Sequence, residues 1–437
     1  MPVEARILRG FRDYLPNVML PRQRMLETVA RTFESFGFAP ISTPALEYAD
    51  ILVGKYGDEG DKLLYRFLDN GDRDIALRYD LTVPLARVVG MNHDLVKPFK
   101  RYHIAPVWRA ETPGRGRFRE FSQCDVDIVG SDSLMADAEC LAVGASVLKA
   151  LGVKRFELRV NNRKLLTALL ERVAVEGDAA LAVLRTVDKL PKIGEAKTRE
   201  LLATENGLAA PAVDAIFDFL KLKPEELRGF FAESPIGLQG ADELLTLLRL
   251  ADEQGIRDCV AVDLSIARGL DYYTGTIYET FLLDLEAIGS VMSGGRYDRL
   301  LGMFGGDAIP AVGISLGVDR LFYGLQELKL VQEQVSPTQV LVTVFDESTR
   351  AQAYGIAADL RAAGIATEVF LGVGKLKKQF QYADRKSIPL AVVAGPDELA
   401  QGLVTLKDLR AGAQRTLSRE DLPAAVAAAA TPTVDVA

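Results

Sequence analysis

The segment from Arg101 to Gly130 constrains the fold more than any other part of the chain. Two strand-like runs, RYHIAPVWRA and FREFSQCDVDIVG, flank a turn-rich basic loop, TPGRGR. Strands joined by a short loop pair antiparallel, whereas parallel strands need a longer crossover connection. We therefore predict an antiparallel hairpin in a sheet that is not a Rossmann sheet, and an α+β fold overall.

The length of the chain predicts more than one domain, because 437 residues are more than a single hydrophobic core usually accommodates. A helical stretch at about 165–255 interrupts a sheet-forming region that spans 1–327. A polar, proline-containing linker is predicted at 328–338. Residues 339–421 then alternate as β-α-β-α-β, which is typical of a small separate α/β domain. The Ala-rich segment 422–437 is predicted to be a frayed tail.

Composition limits the location and the partners of the protein. The first residues lack the apolar region of a signal peptide, and no apolar run approaches the roughly 18 residues that cross a bilayer. Cys124, Cys140 and Cys259 lie far apart without metal-ligand spacing, which favours reduced thiols in a cytoplasmic protein with no membrane partner. The net charge of −8 does not exclude nucleic acid, since the stretch 97–119 carries seven Lys or Arg residues and one acid.

Any nucleotide site in this chain has to rely on arginine. The sequence contains no G-x-x-x-x-G-K-[ST] loop and no G-x-G-x-x-G between a strand and a helix. Arginine binds phosphate in bidentate fashion and is always charged. Arg109 and Glu111 share one face of the first hairpin strand, and Arg117, Arg119 and Phe121 share one face after the loop. This face offers cations for phosphate, a carboxylate for an amino group and a ring for a base; a solvated charged hairpin is the alternative.

These motifs resemble those of a known enzyme class. R-x-E, a basic loop and GRFREF resemble motif 2 of the class II aminoacyl-tRNA synthetases. A long helix followed by a strand with Pro44 resembles motif 1, and AVGISLGVDRL, with Gly313, Gly317 and Arg320, resembles motif 3. The three motifs occur in the order that is found in the class. The resemblance implies a class II catalytic domain whose antiparallel sheet is flanked by helices.

Within the class, the chain is most similar to the histidyl-tRNA synthetase family. The segments that carry this likeness are RGLDYYTGTIYE, RGFRDYLP, ALRYDLTVPLAR, FSQCDVDIVG and SGGRYDRLLG. VNNRKLL and VDKLPKIGEAKTREL resemble the family's insertion, and the last 100 residues or so resemble its anticodon-binding domain. The resemblance implies that histidine and ATP form histidyl-adenylate and that the histidyl group then passes to tRNA(His).

The resemblance also assigns the ATP site. Arg109 would hold the α-phosphate and the histidine carboxylate, and Arg320 would pack on the adenine and reach the γ-phosphate. Phe121 would stack on the adenine, Glu111 would accept from its amino group, and Arg117 would bind phosphate. Mg²⁺ would accompany the ATP phosphates, with no protein side chain assigned as its ligand.

Arg268, in RGLDYYTG, would be the catalytic cation together with Arg109. It would neutralise the charge that builds on the α-phosphate during attack. The alternative for Arg268 is a structural ion pair with an acid such as Asp271.

The histidine pocket follows from the same resemblance. The residues implied to bind histidine are Asp80, Thr82, Arg109, Gln123, Asp127, Arg268, Tyr272 and Tyr273. Asp80, Thr82 and Gln123 would take the α-ammonium, while Asp127 and Tyr273 would take the two imidazole nitrogens. This chain has Asp at positions 80 and 127, where other branches of the family carry Glu, so a water or a backbone shift is expected to close the gap.

Contacts with tRNA are predicted in two places. Arg115 lies in the basic loop, and Lys375, Lys377, Lys378 and Arg385 lie on or near the start of one helix of the C-terminal domain. Cations of this kind position a nucleic-acid backbone. The helical stretch at 165–255 is either a tRNA acceptor-arm contact or a structural insertion.

Two further expectations concern assembly and identity. The helix and strand of motif 1 usually form a symmetric interface in this class, so we expect a homodimer. The rival function is that of the catalytically inactive paralogue that regulates ATP phosphoribosyltransferase in histidine biosynthesis. That paralogue is expected to lack the anticodon domain and several of the ATP-site residues.

Overall fold

The protein forms two compact units. The computed structural model describes residues 3–55, 60–114, 116–267, 273–304, 308–331, 334–372 and 374–430. The larger unit comprises Met1–Asp13 with Met25–Val331, and the smaller comprises Tyr14–Arg24 with Gln332–Ala437. Within the described part of the chain, no helix is long and apolar enough to cross a membrane.

The larger unit is built on an eight-stranded sheet and a three-stranded sheet. Its strands are β1 (Ala39–Pro40), β2 (Leu46–Tyr48), β3 (Arg66–Leu68), β4 (Asp74–Leu77), β5 (Phe99–Trp108), β6 (Glu120–Val129), β7 (Phe156–Asn162), β8 (Val260–Val262), β9 (Thr276–Leu282), β10 (Met292–Arg296) and β11 (Ala311–Gly317). The large sheet has the order β1-β5-β6-β11-β10-β9-β7-β8, and the small one β2-β4-β3. Only the two edge pairings of the large sheet, β1 with β5 and β7 with β8, are parallel. The predicted antiparallel hairpin is confirmed as β5 and β6.

The helices of the larger unit cover the sheet and form the insertion. They are α1 (Pro16–Ser35), α2 (Ala49–Leu52), α3 (Thr82–Met91), α4 (Leu134–Ala150), α5 (Arg163–Arg172), α6 (Gly177–Val187), α7 (Leu190–Thr204), α8 (Ala210–Leu220), α9 (Leu227–Phe230), α10 (Pro235–Glu253) and α11 (Val318–Glu327). Helix α1 begins in the smaller unit and ends before Gly37, whose φ of 78° suits a helix C-terminus.

Helix α4 packs against the large sheet and is buried along most of its length. The Ser133 side chain caps its first turn by accepting from the Met135 N–H at 3.3 Å. A Cβ at Gly144 would lie 3.1 Å from Cδ1 of Ile314, on β11. The glycine therefore lets the helix backbone come close to the strand.

The helical insertion is confirmed, and its helices α5 to α10 run from Arg163 to Glu253. Pro235 begins α10, where the missing N–H is tolerated, and the Ser234 side chain accepts from the Gly237 N–H at 3.2 Å. Helix α7 is broken at Gly194, which has φ 80° and ψ 165°. The insertion is therefore made of helices, and it buries side chains that include Phe217 and Leu247.

The smaller unit confirms the predicted β-α-β-α-β order and adds a hairpin. Its strands are β12 (Val340–Val342), β13 (Thr367–Val369), β14 (Leu390–Val393), β15 (Leu403–Asp408) and β16 (Gln414–Ser418), in the order β13-β12-β14-β15-β16. Its other helices are α12 (Arg350–Ala362), α13 (Leu376–Arg385), α14 (Pro396–Ala400) and α15 (Leu422–Ala430). The strands β13, β12 and β14 are parallel, and β15 and β16 continue the sheet antiparallel.

The predicted frayed tail differs from the structure over Leu422–Ala430, which form helix α15. Leu422 and Val426 are buried in the core of the smaller unit. The composition suggested fraying because alanine has little apolar surface, but these two larger side chains anchor the helix against the sheet.

Candidate active site

One cavity of about 470 Å³ gathers most of the residues that the sequence analysis selected. The selected residues that line it are Asp80, Thr82, Arg109, Glu111, Arg117, Phe121, Gln123, Asp127, Tyr273 and Arg320. Arg115, Arg268 and Tyr272 lie outside the described residues. The cavity lies on the large sheet, and strands β6, β9, β10 and β11 all contribute to its lining.

Strand β6 supplies a polar face to this cavity. Phe121, Gln123, Asp125 and Asp127 alternate along the strand, and all four line the cavity. Gly313 on β11 lies opposite Asp127, and a Cβ there would be 2.0 Å from the Asp127 Oδ1. Glycine is therefore required at this point because the carboxylate occupies the space of a side chain.

Arg109 is held in place by backbone and aromatic contacts. Its Nε donates to the Tyr79 carbonyl at 3.1 Å. The guanidinium carbon lies 4.2 Å from the centroid of the Tyr79 ring and 5.0 Å from that of Phe121. Cation–π contacts of this kind orient a guanidinium without neutralising it, so Arg109 keeps its charge for an anionic ligand.

The start of helix α11 forms another wall of the cavity. Nη1 of Arg320 donates to the Ser290 carbonyl at 2.6 Å. The preceding residue, Asp319, accepts from the Ser122 N–H at 3.0 Å and forms an ion pair with Arg12. The Arg12 guanidinium also lies 3.6 Å from the centroid of the Phe118 ring. The N-terminal segment is thus part of the site. The sequence analysis missed this, although Arg12 lies in the RGFRDYLP motif.

A short hydrogen-bonded chain runs along one wall. Nε2 of Gln123 donates to the Ser315 hydroxyl at 2.7 Å. The Ser315 side chain in turn hydrogen-bonds Asp125. No residue in the described part of the chain pairs with Oε1 of Gln123, which is buried. An unpaired buried acceptor is costly, so this oxygen suits a ligand that donates a hydrogen bond.

Two buried carboxyl groups lie side by side on β6. Burial raises the pKa of Asp125 to about 7; the positive charge of Arg101 opposes this shift, and the negative charge of Asp127 adds to it. Burial also raises the pKa of Asp127, with Arg101 and a hydrogen bond from Tyr297 opposing it. Nη2 of Arg101 lies 2.5 Å from Oδ2 of Asp127.

Arg101 and its neighbour His103 were not selected from the sequence. Arg101 is fully buried, and His103 is buried on the same face of β5, opposite Asp125. Burial lowers the pKa of His103 to about 3, and the nearby positive charges of Arg101 and Arg78 add to the effect. His103 is therefore neutral at physiological pH. In the sequence, only the spacing of two residues in R-Y-H indicated that these two side chains share one face of the strand.

The four basic residues of the smaller unit that were predicted to contact tRNA are exposed, but they do not form one cluster. Lys375 immediately precedes helix α13, Lys377 and Lys378 lie in its first turn, and Arg385 is its last residue. The expectation that all four lie on or near the helix start is wrong for Arg385. Helix α13 has ten residues, and a rise of about 1.5 Å per residue separates its two ends.

The cavity offers no protein-built metal site within the described ranges, where no group of three or more His, Cys, Asp or Glu side chains could hold a metal ion. Asp125 contacts the partly buried Ser315, and Asp127 pairs with the fully buried Arg101.

Comparisons with known proteins agree with this geometry. Residues 10–321 match the family model of histidyl-tRNA synthetase, and residues 339–429 match that of an anticodon binding domain. A histidine–tRNA ligase from Wolinella succinogenes is 46% identical over 423 residues, with 94% of this chain and 96% of the relative covered. Another from Rhodopirellula baltica is 44% identical over 415 residues, with 93% and 94% covered.

Solved structures give the same grouping. The crystal structure of a histidyl-tRNA synthetase from Nostoc sp. superposes with a TM-score of 0.88 at 33% identity, covering 98% of this chain and all of that one. A Bacillus halodurans structure, described as an ATP phosphoribosyltransferase regulatory subunit/histidyl-tRNA synthetase, gives 0.73 at 24% identity over 87% of this chain and 97% of that one. This second likeness concerns the fold alone.

Proposed function

The chain belongs to the histidyl-tRNA synthetase family, and from this premise we propose how its cavity attaches histidine to tRNA. The activity is that of an aminoacyl-tRNA ligase. The histidine carboxylate attacks the α-phosphorus of ATP, the bond to the β-phosphate breaks, and histidyl-adenylate and pyrophosphate form. A terminal ribose hydroxyl of tRNA(His) then attacks the histidyl carbonyl, and AMP leaves.

One observation supports the proposal: arginines line the same cavity as buried polar side chains. Arg109 and Arg320 line it together with Gln123 and Asp127. A site that combines these two sets can hold ATP and histidine next to each other, which lowers the entropic barrier to their reaction.

In the ATP half of the cavity, Arg109 holds the α-phosphate and the histidine carboxylate. Phe121 stacks on the adenine on the face opposite Arg320, and Glu111 accepts from the adenine amino group. Arg117 binds phosphate. The contact of the Arg109 guanidinium with Phe121, 5.0 Å from the ring centroid, supports this arrangement because it fixes the cation beside the ring that is proposed to hold the base.

Arg268 is proposed as the further catalytic cation, and Tyr272 as a wall of the histidine pocket. Both assignments rest on the RGLDYYTG motif alone. A fixed positive charge beside the α-phosphate stabilises the transition state more than the ground state, because negative charge accumulates there during attack.

In the histidine half, Asp80, Thr82 and Gln123 hold the α-ammonium. The free Oε1 of Gln123 supports this role, because an ammonium group is a donor without acceptors. Asp127 and Tyr273 take the two imidazole nitrogens. A pocket whose polar groups need these partners rejects amino acids that lack them by roughly 10⁴-fold or more, so a separate editing site is not required.

Mg²⁺ is proposed to enter with ATP. In the part of the chain described by the structure, acidic side chains do not form a cage. Mg²⁺ binds substrate phosphates and water readily, with few protein ligands, which fits such a cavity. Its contribution when bound is to neutralise phosphate charge.

The smaller unit is proposed to bind the anticodon, with Lys375, Lys377 and Lys378 at the start of α13 contacting the tRNA backbone. Arg385, at the other end of the helix, would contact a different phosphate. Arg115, in the basic loop, is proposed to contact the acceptor end. Residues 1–327 form the proposed catalytic domain, and the proposed anticodon-binding domain begins at residue 339 and extends to residue 430 because α15 belongs to its core.

A homodimer is proposed through the motif 1 region. The small sheet β2-β4-β3 exposes four large apolar side chains, which are Leu46, Tyr48, Phe67 and Leu68. Leu46 and Tyr48 also line a groove of about 630 Å³. Exposed apolar patches on soluble domains mark interaction surfaces, and a second copy of this chain fits a self-complementary patch. We propose that the protein acts in the cytoplasm, where tRNA is charged and where its free thiols stay reduced.

The rival function is a regulatory subunit without catalysis. No feature of the cavity favours it, since Arg109 and Arg320 both line the site. ATP–pyrophosphate exchange with histidine in the absence of tRNA separates the two. We expect histidine-dependent exchange; its absence in folded protein, together with histidine binding, would favour the regulatory role.

A further inference from the structure

Arg101 is the largest fully buried side chain of the described residues, and the reaction as proposed above gives it no role. It lies on β5 directly opposite Asp127 of β6. Its Nη2 is 2.5 Å from Oδ2 of Asp127 and donates to the Leu81 carbonyl at 3.3 Å. A charge buried this deeply is costly unless it is paired, so the position of the guanidinium is determined by these contacts.

The two contacts of Arg101 reach opposite ends of the proposed histidine pocket. Leu81 lies between Asp80 and Thr82, which are proposed to hold the α-ammonium. Asp127 is proposed to hold the imidazole. One rigid guanidinium therefore connects the backbone of the ammonium end to the carboxylate of the imidazole end. Both contacts are made by Nη2, whose direction the planar guanidinium fixes.

We propose that Arg101 is a positioning residue that sets the spacing between the two ends of the histidine pocket and holds the Asp127 carboxylate as an acceptor for the imidazole. The inference rests on the proposed function of this cavity. Arg101 does not touch the reacting atoms and acts through Asp127 and the 80–82 segment.

The Asp127 carboxylate is held on both oxygens. The Tyr297 hydroxyl donates to Oδ1, while Arg101 pairs with Oδ2. Each carboxylate oxygen has two acceptor sites, so both contacts leave room for one more donor. Because the aspartate side chain is short, its carboxylate stays close to the backbone of β6. Arg101, directly opposite on β5, contacts the carboxylate there.

The neighbouring charges require such a counter-charge. Asp125 lies two residues away on the same face and is also buried. Without Arg101, the two carboxyl groups would lose the buried cation that opposes the rise in their pKa values, which favours uptake of a proton. A protonated Asp127 would offer a donor where the imidazole N–H needs an acceptor.

Substitution of Arg101 tests this inference, with ATP–pyrophosphate exchange as the readout. In Arg101→Met we expect the KM for histidine to rise about tenfold or more, because Asp127 loses its buried counter-charge. The KM for ATP should stay within about twofold of the wild-type value, as Arg109 and Phe121 are untouched. Arg101→Lys should give an intermediate KM for histidine, because the lysine ammonium keeps the positive charge but lacks the fixed planar geometry of the guanidinium.

Lys100→Met is the matched control. Lys100 is the next residue on β5, but its side chain lies on the other face, where it pairs with Glu139 of α4. Its removal costs an ion pair from the same strand without touching the pocket. We expect a wild-type KM for histidine in this variant, and a rise equal to that of Arg101→Met would contradict the proposal.

A double-mutant cycle covers the case in which Arg101→Met folds poorly. Arg101→Met combined with Asp127→Asn removes the charges of both partners. If Arg101 acts through Asp127, adding Arg101→Met to Asp127→Asn should change the KM for histidine much less than it does in the wild type. Fully additive effects, or equal rises in the KM values for histidine and ATP, would overturn the inference. Failure of the proposed function itself would appear earlier, as wild-type protein without histidine-dependent exchange.

Discussion

Arg12 forms an ion pair with Asp319 and so joins the N-terminal segment to the start of helix α11, 307 residues further along the chain. The other oxygen of Asp319 accepts from the Ser122 N–H at 3.0 Å. One carboxylate thus connects three distant segments. Arg320, which follows Asp319, and Phe121, which precedes Ser122, are the residues proposed to hold the adenine.

Arg12→Ala should therefore weaken ATP binding more than histidine binding. Loss of the ion pair leaves Asp319, whose side chain is 5% exposed, without its cation and frees Phe118 from its contact with the guanidinium. We expect the KM for ATP in pyrophosphate exchange to rise about fivefold or more, and the KM for histidine to change little. Arg9→Ala is the control, because Arg9 contributes its backbone carbonyl to Arg119 and its side chain is exposed. A wild-type KM for ATP in Arg12→Ala would show that the ion pair has no part in the site.

The buried Asp125 should make stability depend on pH. Its pKa is raised from 3.8 to about 7 by burial, so the folded state binds a proton more tightly than the unfolded state. The stabilisation is fully present below about pH 4 and is lost as the pH rises through about 7, by at most about 1.4 kcal/mol per pH unit.

Asp125→Asn removes this titration and tests the point. Thermal unfolding of both proteins at pH 5 and pH 8 should show the variant gaining stability relative to the wild type as the pH rises. A difference in Tm that is the same at both pH values would mean that Asp125 is already ionised at pH 5.

Gly313 should not tolerate a side chain. A Cβ there would lie 2.0 Å from Oδ1 of Asp127 and 2.7 Å from the Val126 carbonyl, so either the carboxylate or the strand must move. Gly313→Ala is expected to raise the KM for histidine and to lower stability by about 1–3 kcal/mol. Gly317→Ala is the comparison, since its Cβ would meet nothing closer than 3.7 Å. Equal stability and equal KM values in the two variants would refute the close approach of Asp127 to β11.

A charge in the exposed apolar patch should separate the proposed dimer. Leu46 and Leu68 are 43% and 64% exposed in the single chain. The double substitution Leu46→Asp and Leu68→Asp would place carboxylates in the proposed symmetric interface. There each carboxylate would face either the same carboxylate of the second copy or an apolar surface, and both are unfavourable. Light scattering should give a dimer for the wild type and a monomer for the double variant, whereas Met135→Asp, at an exposed residue of α4, should remain dimeric. A wild-type protein that is monomeric at micromolar concentration would rule out the interface.

The sequence predicted the parts of this molecule that depend on local pattern. The β5 and β6 hairpin and the β-α-β-α-β order of the smaller unit follow from period, turn residues and strand length. Helix α15 was missed because an alanine-rich segment has little pattern, and its helix depends on tertiary contacts of Leu422 and Val426. The hairpin of β15 and β16 was also missed.

Site residues that belong to a sequence motif were predictable, whereas residues that join the site through a long-range contact were not. Arg109, Gln123 and Asp127 were found from motifs, and they line one cavity. Arg12 and Arg101 were missed because the partners of each, Asp319 and Asp127, are set by the fold and not by spacing along the chain. A buried arginine also looks like any other basic residue in a sequence, because burial depends on strands that are distant in the chain.

The most direct test of the account is charging of tRNA with each of the twenty amino acids, radiolabelled, in the presence of ATP. We predict that histidine alone is attached, because the buried acceptor Oε1 of Gln123 and the buried carboxylate of Asp127 are proposed to bind the two ends of this amino acid. Attachment of a different amino acid, or of none by folded protein with intact tRNA, would contradict it.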